Sequence, residues 1–190
     1  MKRFLVSIAL VLLLGASMSC STDPAPRGGD RQASLDALFR RLQTTQSDEE
    51  AQIIEGTIRH VWAQSGRQGV DAMMGHAVEA MHAGDYDAAL EAMNRVVGEA
   101  PNFAEGWNLR ATIHYLREDY GQAVGDIERV LALEPRHFGA LAGLGRIFLE
   151  LEDKKAALKA FEAALALNPH LADVRTETKD LREQLAGIPI

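Results

Sequence analysis

The sequence contains one cysteine, Cys20, so no internal disulfide can staple the fold and no cysteine pair can hold a metal. It has only 6 prolines and 16 glycines in 190 residues, without a collagen period. After the first twenty residues there is no long apolar run, which excludes a polytopic membrane protein. Nor does any segment combine period-two alternation with β-branched residues and hairpin turn signals, so strands are not expected. The six histidines show no H-E-x-x-H spacing, and there is no nucleophile elbow and no glycine-rich phosphate loop; no catalytic site, metal or cofactor is therefore expected. Positive charge is also scarce, with Lys plus Arg 20 against Asp plus Glu 27 and a net charge of −7. Such a surface repels phosphate backbones, and nucleic acid is not an expected partner. There remains a chain with 47% apolar and 25% charged residues, ordinary for a globular protein and long enough for one domain or one short array of repeats.

Residues 1–20 read as an export signal: Lys2 and Arg3 precede the apolar run from Phe4 to Leu14, and Gly15, Ala16, Ser17 and Ser19 supply the small residues a signal peptidase accepts. Cys20 stands where a bacterial lipoprotein keeps its acylated cysteine, and the segment resembles such a signal in part. Ser17 occupies the place usually held by Leu, and Met18 is bulky. Two outcomes stay open: lipidation at Cys20, with Ser21 after it favouring the outer membrane, or ordinary cleavage between Ala16 and Ser21 giving a soluble periplasmic protein. Either places the product on the periplasmic side of a Gram-negative envelope. Residues 21–33, with Pro24, Pro26, Gly28 and Gly29 and no large apolar side chain, are expected to be a disordered linker.

From Ser34 the pattern is helical. Leu35, Leu38, Phe39 and Leu42 recur at three- and four-residue steps, and Ser47 with Glu50 forms a capping box for a second helix through Ile54, Ile58 and Trp62. Residues 34–69 thus read as a degenerate N-terminal helical hairpin. The chain beyond residue 69 is periodic: Pro101, Pro135 and Pro169 lie 34 residues apart, as do Ala89, Ala123 and Ala157. In register, the units are 70–103, 104–137 and 138–171. Their fourth positions are Met73, Trp107 and Leu141, their small eighth positions Ala77, Ala111 and Gly145, and their twenty-fourth positions Met93, Ile127 and Phe161.

On these residues the chain resembles the tetratricopeptide repeat family. The resemblance implies an all-α, right-handed α-solenoid of helix-turn-helix units, closed by a capping helix and tail over 172–190 whose apolar stripe is Val174, Leu181 and Leu185. The alanines of each second helix sit where its backbone comes closest to the first, and each proline ends a second helix by biasing the residue before it out of helical geometry. Methionine and histidine together suit soft metals, but Met73 and Met93 already hold repeat-core positions, so core filling is the reading for them. Arg110 replaces the usual leucine at the seventh position and is expected to pair with Asp126 on the helix packed against it. His114 reads as a packed core histidine.

The family's geometry directs one face of each first helix into a concave groove. It implies Met74, Val78, Asn108, Leu109, Thr112, Tyr115, Gly139, Ala142, Gly143 and Arg146 as groove residues, with Gly139, Ala142 and Gly143 as an open patch and Arg146 facing an acid of the ligand. The carboxylate clamp of the family's chaperone-tail binders is not expected, because Met74, Val78, Leu109, Gly139 and Gly143 stand at its positions. The expected function is a non-enzymatic scaffold or adaptor binding a peptide or a partner helix. The alternative is an envelope lipoprotein with an assembly or oligomerisation role.

Overall fold

The computed structural model describes residues 28–187, and every regular element among them is helical. In chain order they are α1 (Gly28–Thr44), α2 (Asp48–Ala63), α3 (Gln68–His82), α4 (Tyr86–Glu99), α5 (Ala104–Leu116), α6 (Tyr120–Leu133), α7 (Phe138–Glu150), α8 (Lys154–Leu167) and α9 (Ala172–Leu185). The pairs α3/α4, α5/α6 and α7/α8 are the three repeats. The export signal and Cys20 lie outside the described residues. The linker expected over 21–33 is corrected at 28–33, which form the first turns of α1: Ser34 donates its hydroxyl to the Asp30 carbonyl there, and Arg31 reaches back to the Gln64 carbonyl.

Each repeat is built as its spacing requires. Ala89, Ala123 and Ala157 are fully buried. The residues before the prolines, Ala100, Glu134 and Asn168, take φ of −130°, −136° and −134° and end the second helices, as the clash with the proline ring dictates. Between the two helices of each repeat the chain needs one left-handed residue, and these also recur every 34 residues: Gly84 (φ 75°), Glu118 (φ 62°) and Glu152 (φ 60°). Glycine takes that conformation freely, whereas the two glutamates take it at a steric cost. Asp85 and Asp153 then cap α4 and α8 by accepting from the backbone N–H of Ala88 and Ala156.

The eighth and twenty-fourth positions trade volume. Met93 and Ile127 share their cores with Ala77 and Ala111, but Phe161 faces Gly145, where a β-carbon would lie 2.3 Å from the ring carbon Cε1. At the C-terminal end α9 packs on α8, with Val174 and Leu181 buried. Leu185, expected in that stripe, is 40% exposed; Thr178 takes the buried place instead and donates its hydroxyl to the Val174 carbonyl at 2.7 Å. The helical period brings 174, 178, 181 and 185 onto one face, and Leu185 is left exposed as the last residue of α9.

The N-terminal hairpin does not extend the array beyond α3. It folds back across the loops that join the repeats, and its apolar side chains share one core with the third repeat. Phe138, the first residue of α7, is fully buried beneath it. Trp62 stacks on His137 with ring centroids 4.2 Å apart and leans on Phe138 at 5.1 Å, while Phe39 meets Phe138 edge-on at 6.2 Å. Polar ties fix the register: Arg136 donates to Asp36 at 2.7 Å, Asn168 to Glu55 at 2.9 Å, and His170 meets Asp48 at 3.0 Å. The hairpin buries Leu35, Phe39, Leu42, Ile54, Ile58 and Trp62. Full burial of such side chains is worth about 1.5–3 kcal/mol each, partly within the hairpin and partly against the array, so it is a firmly held element. The capping box is present by half. Ser47 accepts from the Glu50 N–H, but the Glu50 carboxylate turns to the Thr45 hydroxyl and to Arg41, which together hold its pKa below the usual carboxylate range.

Candidate functional site

The folded-back hairpin changes the groove. A cavity of about 590 Å³ lies between α2, α5, α7 and the start of α9. Its floor is apolar, formed by Ala111, Ile127, Ala140, Ala142, Ile147, Leu171 and Val174. Of the ten groove residues expected from the sequence, Asn108, Thr112, Tyr115, Gly139, Ala142, Gly143 and Arg146 line this cavity. Met74, Val78 and Leu109 do not. Met74 and Leu109 pack against the core of the first repeat, and Val78 is 37% exposed on α3, away from the closed part of the groove.

The small residues of α7 are open toward the cavity. A β-carbon added at Gly143 would meet only Ile127 Cδ1, at 3.9 Å, and one at Gly139 would touch the His137 ring at 3.5 Å. Both are ordinary contact distances, unlike the collision at Gly145 nearby on the same helix. His137 itself is held rigidly: its Nδ1 accepts from the Ala140 N–H at 3.0 Å and caps α7, its Nε2 lies 3.0 Å from Glu105, and Trp62 covers its face.

The polar rim is largely self-satisfied. Thr112 donates to the Asn108 carbonyl at 3.0 Å, and Asn108 donates its amide to Glu105 at 3.1 Å. Tyr115 reaches Glu150 at 3.3 Å. Burial, and then the Glu150 carboxylate, push its hydroxyl above the usual phenol range, so it stays a protonated donor. Arg146 was expected to face an acid of the ligand; the structure supplies that acid internally. Its guanidinium donates to Asp173 and its Nε lies 3.5 Å from Glu177, both on α9. Asp173 and Glu177 sit four residues apart, one turn of α9, and so reach the same cation.

Arg110 and Asp126 form a bidentate pair, with Nε to Oδ2 at 2.8 Å and Nη2 to Oδ1 at 2.6 Å. The third donor direction goes to Asn94 at 2.9 Å, and the guanidinium lies over the Trp107 ring at 4.7 Å. The pair is away from the cavity lining and holds α5 to α6. His114 is buried beside it, its Nε2 3.9 Å from Asp126. Among the described residues no three His, Cys, Asp or Glu side chains converge on a metal-sized site.

The cavity residues missed in the sequence include Gln52, Glu55 and Arg59, all on α2. They recur at steps of three and four, a polar stripe flanking the buried Ala51, Ile54, Ile58 and Trp62. The stripe was legible, but the direction in which the hairpin folds was not. Glu55 bridges Arg59, at 2.5 Å, and Asn168, and the Arg59 guanidinium lies 5.9 Å from the centre of the Phe138 ring.

Comparison with known proteins agrees with this architecture. The family model described as tetratricopeptide repeat matches residues 74–126 and 117–172. A TPR repeat-containing protein of Rhizobium etli is 35% identical over 153 residues, which cover 80% of this chain and 75% of that one. Among solved structures, the first TPR of Spaghetti (RPAP3) bound to the HSP90 peptide SRMEEVD superposes with a TM-score of 0.60 at 20% identity, covering 63% of this chain and 94% of that one. The TPR2B domain of yeast Sti1 in its complex with pHsp70 gives 0.58 at 15% identity, covering 62% and 99%. Identities this low speak to the fold alone, an all-α solenoid of the kind that supports protein–protein interaction scaffolds. With the repeat spacing, the left-handed turns, the family model and the Rhizobium relative in agreement, the chain belongs to the tetratricopeptide repeat family.

Proposed function

We propose that the protein is a non-enzymatic interaction scaffold of a Gram-negative cell envelope that captures a peptide segment of a partner protein in the cavity between α5 and α7. The observation that carries this reading is the cavity itself: an apolar floor beside two glycines, rimmed by polar side chains whose geometry is already fixed. Peptides bound to structurally similar TPR domains support it by analogy of fold. The export-signal pattern of residues 1–20 supports a periplasmic location, with the domain free or held at the outer membrane through Cys20.

The test uses the purified domain as bait in envelope extract, beside Gly143→Leu, with bound proteins identified by mass spectrometry. A β-carbon at 143, which lines the cavity, meets only Ile127 Cδ1, at an ordinary contact distance of 3.9 Å. The expected outcome is one or a few proteins retained by the wild type and lost with Gly143→Leu at a melting temperature no lower than that of the wild type. Partners retained equally by both would refute the cavity as the binding site.

A further inference from the structure

Helix α2 faces α5 and α7 across the cavity. Its stripe Gln52, Glu55 and Arg59 forms one wall of the cavity, and α5 and α7 form the other. The hairpin carrying that wall is held by the Trp62, Phe39 and Phe138 cluster and by three polar ties to the inter-repeat loops, so it is a fixed part of the site.

Backbone chemistry selects the ligand. A helix pairs its N–H and C=O groups within itself, whereas an extended segment leaves them free for partners outside it.

Charge selects further. The lining cations are Arg59 and Arg146 and the anions Glu55 and Asp173, so the sum is zero, and each cation is already hydrogen-bonded to one of those carboxylates. A charged ligand would be desolvated with no unpaired counter-charge to meet. Two amides face the space instead. Among the described residues the Gln52 side chain makes no hydrogen bond, and Asn108 uses its side-chain N–H₂ toward Glu105 while its side-chain oxygen Oδ1 has no protein donor. Each offers what an extended backbone offers in return, a donor or an acceptor.

We infer that α2 is the second wall of the binding site, and that the site takes a short, extended, uncharged peptide segment, with an apolar side chain on the floor and its backbone bonded to Gln52 and Asn108. This rests on the peptide-binding reading above and deepens it.

A phage-displayed library of linear dodecapeptides, panned on the full chain, supplies the probe. The selected peptide is titrated by fluorescence anisotropy against the wild type, Gln52→Trp, Gln52→Ala and Gly143→Leu, with melting temperatures alongside. Gln52→Trp and Gly143→Leu are each expected to weaken binding at least tenfold by filling the cavity from opposite walls. Gln52→Ala, which adds no bulk, is expected to weaken it about threefold to tenfold through one lost hydrogen bond. The bound, isotope-labelled peptide is expected to show extended carbon chemical shifts. Loss with Gly143→Leu but wild-type binding by both Gln52 variants overturns the two-walled site and leaves the groove reading standing. Helical shifts, or selection of acidic sequences, overturn the ligand class. A library that yields no peptide sensitive to Gly143→Leu overturns both readings.

Discussion

The third repeat offers a sharp test of the packing logic at Gly145. A helix interior normally gains about 0.8–1 kcal/mol when glycine becomes alanine. Here the new β-carbon would lie 2.3 Å from Phe161 Cε1, 2.4 Å from Cδ1 and 2.9 Å from Cζ. Carbon atoms settle at about 3.5–4.0 Å, so the ring must retreat by roughly 1 Å or more. Phe161 is fully buried and shares its core with the fully buried Ala157 and Ala164, which leaves it no slack. Overpacking of this kind costs about 1–3 kcal/mol, enough to cancel or exceed the propensity gain. Gly145→Ala should therefore destabilise the protein by up to about 2 kcal/mol, whereas Gly143→Ala, with its nearest neighbour at 3.9 Å, should stabilise it by close to the full propensity gain. The second repeat shows the remedy, since Ile127 there shares its core with Ala111 at the eighth position rather than with a glycine. Phe161→Ile alone leaves a void; combined with Gly145→Ala it should recover stability relative to the sum of the two single changes. Urea melts of the four proteins form a double-mutant cycle. A coupling of zero, or a stabilising Gly145→Ala, would refute the claim that the eighth and twenty-fourth positions share one volume.

Asp126→Ala should cost about 3 kcal/mol, the lower end for a broken buried pair, because the Arg110 side chain is 18% exposed and keeps Asn94; chemical denaturation checks it. Glu118→Gly and Glu152→Gly should each stabilise by about 0.5–1 kcal/mol, the relief of a left-handed backbone less the entropy of glycine, while Gly84→Glu should destabilise; thermal melts decide, and no change at 118 or 152 would remove the strain argument. The hydrogen bond from His170 holds the Asp48 carboxyl below its ordinary range, so this tie contributes above the unfolded carboxylate pKa and is lost as pH falls through the lower folded value. In a carboxyl-carbon NMR titration, His170→Ala should move Asp48 upward, and an unmoved Asp48 would deny the tie. If Cys20 is acylated, the exported protein partitions with membranes and Cys20→Ala releases it; a mature N-terminus beyond Cys20, read by intact mass, would end that idea.

The repeats were legible because their physics is local. A proline biases the residue before it, and an alanine meets its partner helix within the same 34 residues, so spacing alone locates Ala123 or Pro135 in the packing. The seven cavity residues on α5 and α7 were legible for the same reason. The features hidden from the sequence depend on elements one unit or more away. Arg146 looked available because Asp173 and Glu177 lie in another helix, and nothing in the spacing says that α9 turns its acids toward α7. The hairpin stripe Gln52, Glu55 and Arg59 was visible as a polar face, but its destination depends on Phe138, which is an ordinary loop-edge residue until Trp62 and Phe39 cover it. Met74, Val78 and Leu109 do not line the cavity because it begins at the second repeat, beneath α2.

A plain repeat array is held by neighbours only, and its ends can fray while the middle stays folded. This chain is fastened differently. The ties joining Asp36 to Arg136, Glu55 to Asn168 and Asp48 to His170 span 100, 113 and 122 residues. They act as a clasp between the first helices and the last units, so the terminal repeat cannot unravel without losing the hairpin as well. The order of synthesis and the order of assembly then run opposite ways: the hairpin is made first, but the surface that buries Phe39 and Trp62 is complete only when the third repeat has been made. Closing so long a loop is slow compared with zipping adjacent hairpins, and until it closes those two aromatic side chains remain open to solvent or to a chaperone.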